Sequence, residues 1–249
     1  MKQQSLAAAT GTLTAAPKFE LPEVFQGPQE KVVGRALAPY ITFAHKGRPD
    51  EYTKLVGKFG GIDEGDMYLI EGDVLTKLPT VKVRPMRIKQ YWIEKNPAGE
   101  MMKSSYTEMP WPWAESIDAV VLVYLDDRVV VANIQPHTTK CSGFKVLADA
   151  LDECQKPEWA DKSPAHKETL QINQPFMRFF GEMRVAPPRI SKRSGLPYRI
   201  TQCSIKPVTN VEVKLLKAFV ESDHKKSMED AAARFSLRLK EIEEKLIKR

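Results

Sequence analysis

The segment FMRFFGEMRVAPPRISKRSGLPYRITQCSIK, residues 176–206, decides the fold. Its two arms, residues 176–185 and 197–206, contain the aromatic and β-branched residues that favour strands. The connection between them, residues 186–196, contains Pro187, Pro188 and Gly195, which interrupt a strand ladder and favour a turn. The segment therefore predicts a β-hairpin that closes the folded domain.

The same hairpin carries an uneven distribution of charge. From Met183 to Lys206 the sequence contains no acidic residue. The cations of this interval are Arg184, Arg189, Lys192, Arg193, Arg199 and Lys206. Tyr198 and the Phe residues lie close to them in the sequence. Cations neutralise phosphates and flat rings stack on bases, so this mixture favours binding of a single-stranded nucleic acid.

The composition is that of an ordinary soluble globular protein, with 42% hydrophobic and 28% charged residues in a chain of 249. A net charge of +6 favours an anionic partner only weakly. Three cysteines without a framework spacing are typical of a reducing compartment. The chain contains no apolar run of the ~20 residues that cross a bilayer and no Leu-rich signal core. We therefore expect a cytoplasmic protein without a membrane partner.

The N-terminal half predicts mostly strands. Residues 1–30 are rich in Ala, Thr, Gln and Pro and predict a flexible arm. Strands are predicted at residues 31–44, 67–78 (interrupted at Gly72) and 81–94, with one helical turn at 50–56. The strand at 81–94 is a second basic and aromatic stretch, with Lys82, Arg84, Arg87, Lys89, Tyr91 and Trp92. For Tyr91 and Trp92, core packing and base stacking both stay open.

The centre of the chain is its most apolar part. Residues 117–125 and 128–134 are almost continuous Val, Ile and Leu around Asp126 and Asp127, which predicts two strands buried on both faces and joined by a tight turn. Residues 142–154 have apolar residues at helical spacing and end before Pro157. A short helix is also expected at 164–170.

The C-terminus predicts helices. Asn210 caps the first, and a second has an apolar seam with alternating steps of four and three residues: Met228, Ala232, Phe235, Leu239, Ile242 and Leu246. Two interpretations stay open for this seam. It packs on its own domain, or it forms a subunit contact in a homo-oligomer.

Other chemistries find little support in the sequence. His137, Cys141, Cys154 and His166 do not have the spacing of a zinc motif. The glycines near Gly57 lack the pattern of a phosphate-binding loop. We therefore predict no metal, no cofactor and no enzymatic activity. The basic stretches also have a plain alternative, in which they are the solvated faces of strands.

The order of elements is several strands, a helix at 142–154 and a closing hairpin. In this order, and in the basic loop of residues 189–199, the chain resembles the OB-fold single-stranded DNA-binding proteins of bacteriophages and related mobile elements. The resemblance implies a mainly β (α+β) fold, an OB-like five-stranded barrel with insertions over residues 31–208, followed by a C-terminal helical segment at 209–249. The chain departs from many such proteins in ending with a mixed-charge helix instead of an acidic tail.

These observations together predict a non-catalytic protein that binds single-stranded DNA during replication or recombination. The expected contacts are Arg84, Arg87, Lys89, Trp92, Arg184, Arg189, Lys192, Arg193, Tyr198 and Arg199. RNA stays open as the ligand, because stacking and phosphate contacts do not distinguish the sugars. Two alternatives also stay open: a structural or assembly protein that acts through its C-terminal helix, and a metal-dependent enzyme acting on nucleic acid.

Overall fold

The computed structural model describes residues 39–44, 49–96, 100–136, 141–153, 179–190, 192, 195 and 197–247. Its strands are β1 (Tyr40–Phe43), β2 (Met67–Glu71), β3 (Val74–Leu78), β4 (Val81–Lys95), β5 (Met101–Ser105), β6 (Ala114–Tyr124), β7 (Val129–Ile134), β8 (Phe179–Val185), β9 (Arg189–Ile190), β10 (Pro197–Tyr198) and β11 (Thr201–Pro207). Its helices are α1 (Pro49–Phe59), α2 (Cys141–Glu153), α3 (Asn210–Glu221) and α4 (His224–Glu244). The arm expected at 1–30 and the helix expected at 164–170 lie outside the described residues.

Nine of the described strands form one sheet, in the order β11-β8-β4-β6-β7-β1-β2-β3, with β5 paired to β4. Met67 of β2 and Met183 of β8 belong to one buried cluster, although their strands lie towards opposite ends of this order. The sheet therefore curls into a half-barrel. The fold is α+β and mainly sheet, as expected. The closed five-stranded barrel is not observed, because the pairing of the described strands stays open at β11 and β3.

The apolar centre of the sequence forms the middle of the sheet. β6 and β7 pair in antiparallel fashion, and the amide of Leu125 donates to the carbonyl of Arg128 at 2.8 Å across the turn. From Ser116 to Tyr124 every residue of β6 is buried. The prediction of two strands buried on both faces is confirmed.

Each face of the sheet has its own core, because successive residues of a strand point to opposite sides. On the concave side, which we call the inner face, Val121 and Val123 pack in one cluster with Phe144 of α2. On the other side, the outer face, Val120 packs in a cluster with Phe235 of α4. The layers are therefore α2, the curled sheet, and the pair α3 and α4.

Two expected elements differ in detail. The segment 67–78 is a hairpin of β2 and β3, because Gly72 adopts a positive φ of 61° and turns the chain. The single turn expected at 50–56 is the eleven-residue helix α1. The helix expected at 142–154 is confirmed as α2, and it lies close to β11, since the backbone of Gly143 touches the carbonyl group of Thr201.

The C-terminal helices cover the outer face. The residue that caps α3 is Thr209 and not Asn210 as predicted, and Thr209 forms a capping box with Glu212. Along α4, Met228, Ala232 and Phe235 of the predicted seam are almost completely buried. Phe235 and Met228 share the core of β6, and Ile242 packs near Tyr91 of β4. The seam therefore packs on its own sheet, and the interpretation as a subunit contact has no support in the fold.

Candidate nucleic-acid interface

The closing hairpin extends beyond the sheet. β8 and β11 pair over seven residues, from Phe179↔Pro207 to Val185↔Thr201. β4 accompanies β8 only as far as Met183, which pairs with Val81. Past this point the amide of Ala186 donates to the carbonyl of Ile200, and β9 pairs with β10. We call residues 184–202 the ribbon. The predicted hairpin is confirmed over residues 179–185 and 201–206 of its arms, while residues 176–178 lie outside the described residues.

The ribbon presents cations to solvent. Arg184, Arg189 and Lys192 are exposed, and Lys206 is exposed just past its end. The Nε of Arg184 donates to the neutral side-chain oxygen of Gln202 at 3.0 Å. No ion pair between described residues involves Arg189, Lys192 or Lys206. Arg193 lies outside the described residues.

The ribbon also carries apolar groups. Ile190 is 65% exposed and stands between Arg189 and Lys192. The backbone of Tyr198 pairs with that of Arg189, which puts the predicted stacking residue opposite a predicted phosphate contact. The side chain of Tyr198 lies outside the description. Arg199 is half-buried, and its side chain lies against Gly65 in the loop before β2.

The cations predicted on β4 do not join this surface. β4 has a register shift between Pro85 and Arg87, so that Arg84 and Arg87 both point to the outer face, under the C-terminal helices. Arg84 is 2% exposed, and its Nη1 donates to the carbonyl of Phe179 at 3.1 Å. A buried guanidinium cannot meet a phosphate, so Arg84 leaves the predicted set.

Arg87 and Lys89 are half-buried and lie over aromatic rings. The guanidinium carbon of Arg87 is 5.1 Å from the centre of the Phe235 ring, and burial lowers the pKa of Arg87. The Nζ of Lys89 is 4.0 Å from the centre of the Tyr106 ring. These cation–π contacts hold α4 and the β5–β6 connection against the sheet. Both residues therefore have structural roles in this conformation.

Trp92 lies far from the ribbon. It is half-buried on β4, opposite Glu115 of β6 and Ser105 of β5, which places it on the inner face. Val81 pairs with Met183, directly before the ribbon, and Trp92 lies eleven residues further along β4. This separation corresponds to about 36 Å of strand at ~3.3 Å per residue. The two basic and aromatic stretches of the sequence therefore do not form one continuous site.

A buried polar cluster under α4 escaped the sequence interpretation. The hydroxyl of Tyr91 donates to Asp118 Oδ2 at 2.6 Å, Gln135 donates to that hydroxyl at 3.3 Å, and Arg238 Nε lies 3.7 Å from Asp118 Oδ2. Burial raises the pKa of Asp118 and that of Tyr91. Tyr91, Asp118 and Arg238 lie on β4, β6 and α4, and Gln135 directly follows β7. No local motif signals their meeting. Their polar groups bind one another and fix α4 on the sheet.

Neither a candidate metal site nor a membrane-spanning helix occurs among the described residues. No group of three or more His, Cys, Asp or Glu residues there is placed to hold a metal ion. Cys141 is buried, with its Sγ 3.3 Å from the carbonyl of Pro136, while His137, Cys154 and His166 lie outside the described residues. None of the described helices combines the length and the apolar character needed to cross a bilayer.

Comparison of the chain with protein-family models, with curated proteins and with solved structures gave no match. Function is therefore inferred from the charge of the ribbon and from its place in the fold.

Proposed function

We propose that the protein binds single-stranded DNA, without catalysis, through the ribbon. One observation carries this proposal: the ribbon exposes Arg184, Arg189 and Lys192, and no acidic residue occurs from Met183 to Lys206. A solvated strand face normally mixes both signs of charge. An acid-free hairpin with exposed cations favours a polyanion.

The chemistry of a single strand suits this arm. Its phosphates need several cations in a row, and its unstacked bases need apolar or flat partners. The ribbon supplies exposed cations on β8, on β9 and in the turn that follows β9, together with Ile190 and Tyr198 for the bases. In this proposal Arg184, Arg189, Lys192 and Arg193 contact phosphates, and Arg84, Arg87, Lys89 and Trp92 do not.

The position of α2 between β7 and the closing hairpin supports the proposed relation to the OB-fold. In such barrels the connection between the last two strands commonly touches oligonucleotides. The corresponding connection here contains β9 and β10. We extend the proposal on this basis to a role in replication or recombination in the cytoplasm.

Fluorescence anisotropy of labelled oligo-dT over a series of salt concentrations tests the proposal. The variant R189A/K192A removes two ribbon cations. The control K54A/K240A removes two exposed cations from α1 and α4. Since each phosphate contact to a single strand contributes ~0.7 to the slope of log K against log salt, the ribbon variant should lose about 1.4 of slope. Its affinity at low salt should fall at least tenfold.

The control variant should keep the slope and affinity of the unmodified protein. Equal losses in the two double variants would show diffuse attraction and refute a ribbon site. No affinity for oligo-dT at low salt would refute the proposal as a whole. Parallel titrations with oligo-U show whether the protein distinguishes DNA from RNA, because only RNA offers a 2′-hydroxyl group.

A further inference from the structure

A backbone hydrogen bond to Ala44 fixes the position of Gly65. This glycine ends the connection from α1 to β2, and its amide donates to the carbonyl of Ala44, at the end of β1, at 2.7 Å. The amide of Ala44 in turn donates to the carbonyl of Asp66 at 3.0 Å. Gly65 has a φ of +89°, which only glycine adopts without strain. This turn is therefore held firmly on the side of the sheet formed by β1 and β2.

The side chain of Arg199 covers this glycine. An ideal Cβ on Gly65 would lie 2.7 Å from Arg199 Cζ and would overlap Nε and Cδ, which are closer still. Real Cβ atoms do not approach other heavy atoms within 3.0 Å, so any side chain at position 65 would displace the guanidinium. The glycine is therefore needed both for its φ and for the space above it.

This contact bridges the opening of the half-barrel. Arg199 lies two residues before β11, which is the strand at one end of the sheet. Gly65 lies two residues before β2, which is next to β3 at the other end. The described strands do not pair across this gap. The base of the ribbon is thus held on one side by β8 and on the other by Arg199.

We propose that Arg199 is a positioning residue that braces the ribbon against the Gly65 turn, and that it is not one of the phosphate contacts. The consequence for DNA rests on the proposed function, whereas the brace itself does not. A braced arm presents its cations in one orientation, and binding then costs less ordering entropy. Loss of the brace should weaken binding without removing a phosphate contact.

The variant G65A tests the brace without changing any charge. Its control is G61A, in the same connection, where φ is +51° and an added Cβ meets nothing within 4 Å. Both variants carry the strain of alanine at positive φ, and only G65A displaces Arg199. R199A and R199K complete the set. The first readout is hydrogen exchange of the Ala186 amide, which is bonded to the carbonyl of Ile200 at the ribbon's base.

G65A, R199A and R199K should each speed exchange at Ala186 about tenfold relative to G61A, because each removes the contact between the guanidinium and Gly65. R199K belongs with them because a lysine lacks the planar group that lies over the glycine. In the oligo-dT titration the same variants should lose about three- to tenfold in affinity and keep the salt slope. Exchange in G65A equal to that in G61A would overturn the brace. A loss of ~0.7 in the slope of log K against log salt for R199A would also overturn the brace, because it would identify Arg199 as a phosphate contact.

The two proposals fail separately. If R189A/K192A binds oligo-dT like the unmodified protein while G65A and R199A accelerate exchange at Ala186, the brace stands and the DNA-binding function is wrong. If the ribbon variant loses slope while G65A matches G61A in both measurements, the function stands and the brace is wrong.

Discussion

Glu212 offers the sharpest test of the energetics of the fold. Its side chain is 5% exposed at the start of α3. It accepts hydrogen bonds from Lys82 Nζ at 2.6 Å, from the amide of Thr209 at 3.0 Å and from the Thr209 hydroxyl. Burial alone would raise the pKa of Glu212, but these hydrogen bonds outweigh it and lower the pKa from 4.5 to about 2. The pair with Lys82 ties α3 to β4 across 130 residues of sequence.

The variant E212Q keeps the capping geometry, because glutamine also serves at this position of a capping box, and removes the charge. The lowering of the Glu212 pKa from 4.5 to about 2, at ~1.36 kcal/mol per pKa unit, gives an upper bound of about 3 kcal/mol. The Lys82 side chain is 40% exposed, so water screens part of this energy. We expect E212Q to lower the free energy of unfolding by about 1–3 kcal/mol at pH 7.

The dependence on pH identifies the cause. The folded state lowers the pKa of Glu212, so its ionised form stabilises the protein fully above pH 4.5, and this stabilisation disappears as the pH falls towards 2. The cost of E212Q should therefore be largest at pH 7, smaller at pH 3.5 and almost absent at pH 2. Urea unfolding followed by tryptophan fluorescence measures it at each pH. The control E244Q, at an exposed position of α4, should cost under ~0.5 kcal/mol throughout. An equal cost of E212Q at pH 3 and pH 7, or a cost no larger than that of E244Q, would refute the reasoning.

Three further results are expected, two from glycine substitutions and one from thiol reactivity. Gly143→Ala should destabilise the protein by ~2 kcal/mol or more, because its Cβ would overlap the carbonyl oxygen of Thr201, whereas Gly57→Ala in α1, with nothing within 4 Å, should stabilise it by about 0.5–1 kcal/mol. Urea unfolding measures both, and a neutral G143A would contradict the close approach of α2 to β11. Burial raises the pKa of the Cys203 thiol to about 12, and Cys141 is also buried, so in a C154S background Ellman's reagent at pH 8 should react with these two thiols only after unfolding. Rapid reaction in the native state would show that one of them is accessible.

The sequence was most informative where local pattern is enough. The continuous apolar residues of β6 and β7 predicted buried central strands, and the prolines and glycine around Arg189 predicted a ribbon turn. The alternating spacing along α4 predicted an apolar seam. The spacing did not say what covers the seam, because the sheet that packs on Phe235 lies about a hundred residues earlier in the chain.

The errors concern long-range register. The local sequence around a cationic residue in a strand does not show whether the side chain faces water or a helix. The burial of Arg84 therefore had no local signal. The register shift beside Pro85 turned Arg87 and Lys89 to the outer face as well. Trp92 seemed to belong with the ribbon only because both stretches mix rings and cations. Its distance follows from the pairing of Val81 with Met183, which composition does not encode.

The cover that α3 and α4 place on the outer face has a consequence for biosynthesis. Ile134 ends β7, and the covering helices begin only at Asn210, 76 residues later. At ~5–20 residues per second, a ribosome needs about 4–15 s to add that length. During this interval the apolar residues on the outer face of β6 and β7 are exposed, because α3 and α4 do not yet cover them. Nascent chains arrested before Asn210 should therefore recruit holding chaperones, and full-length chains released from the ribosome should not.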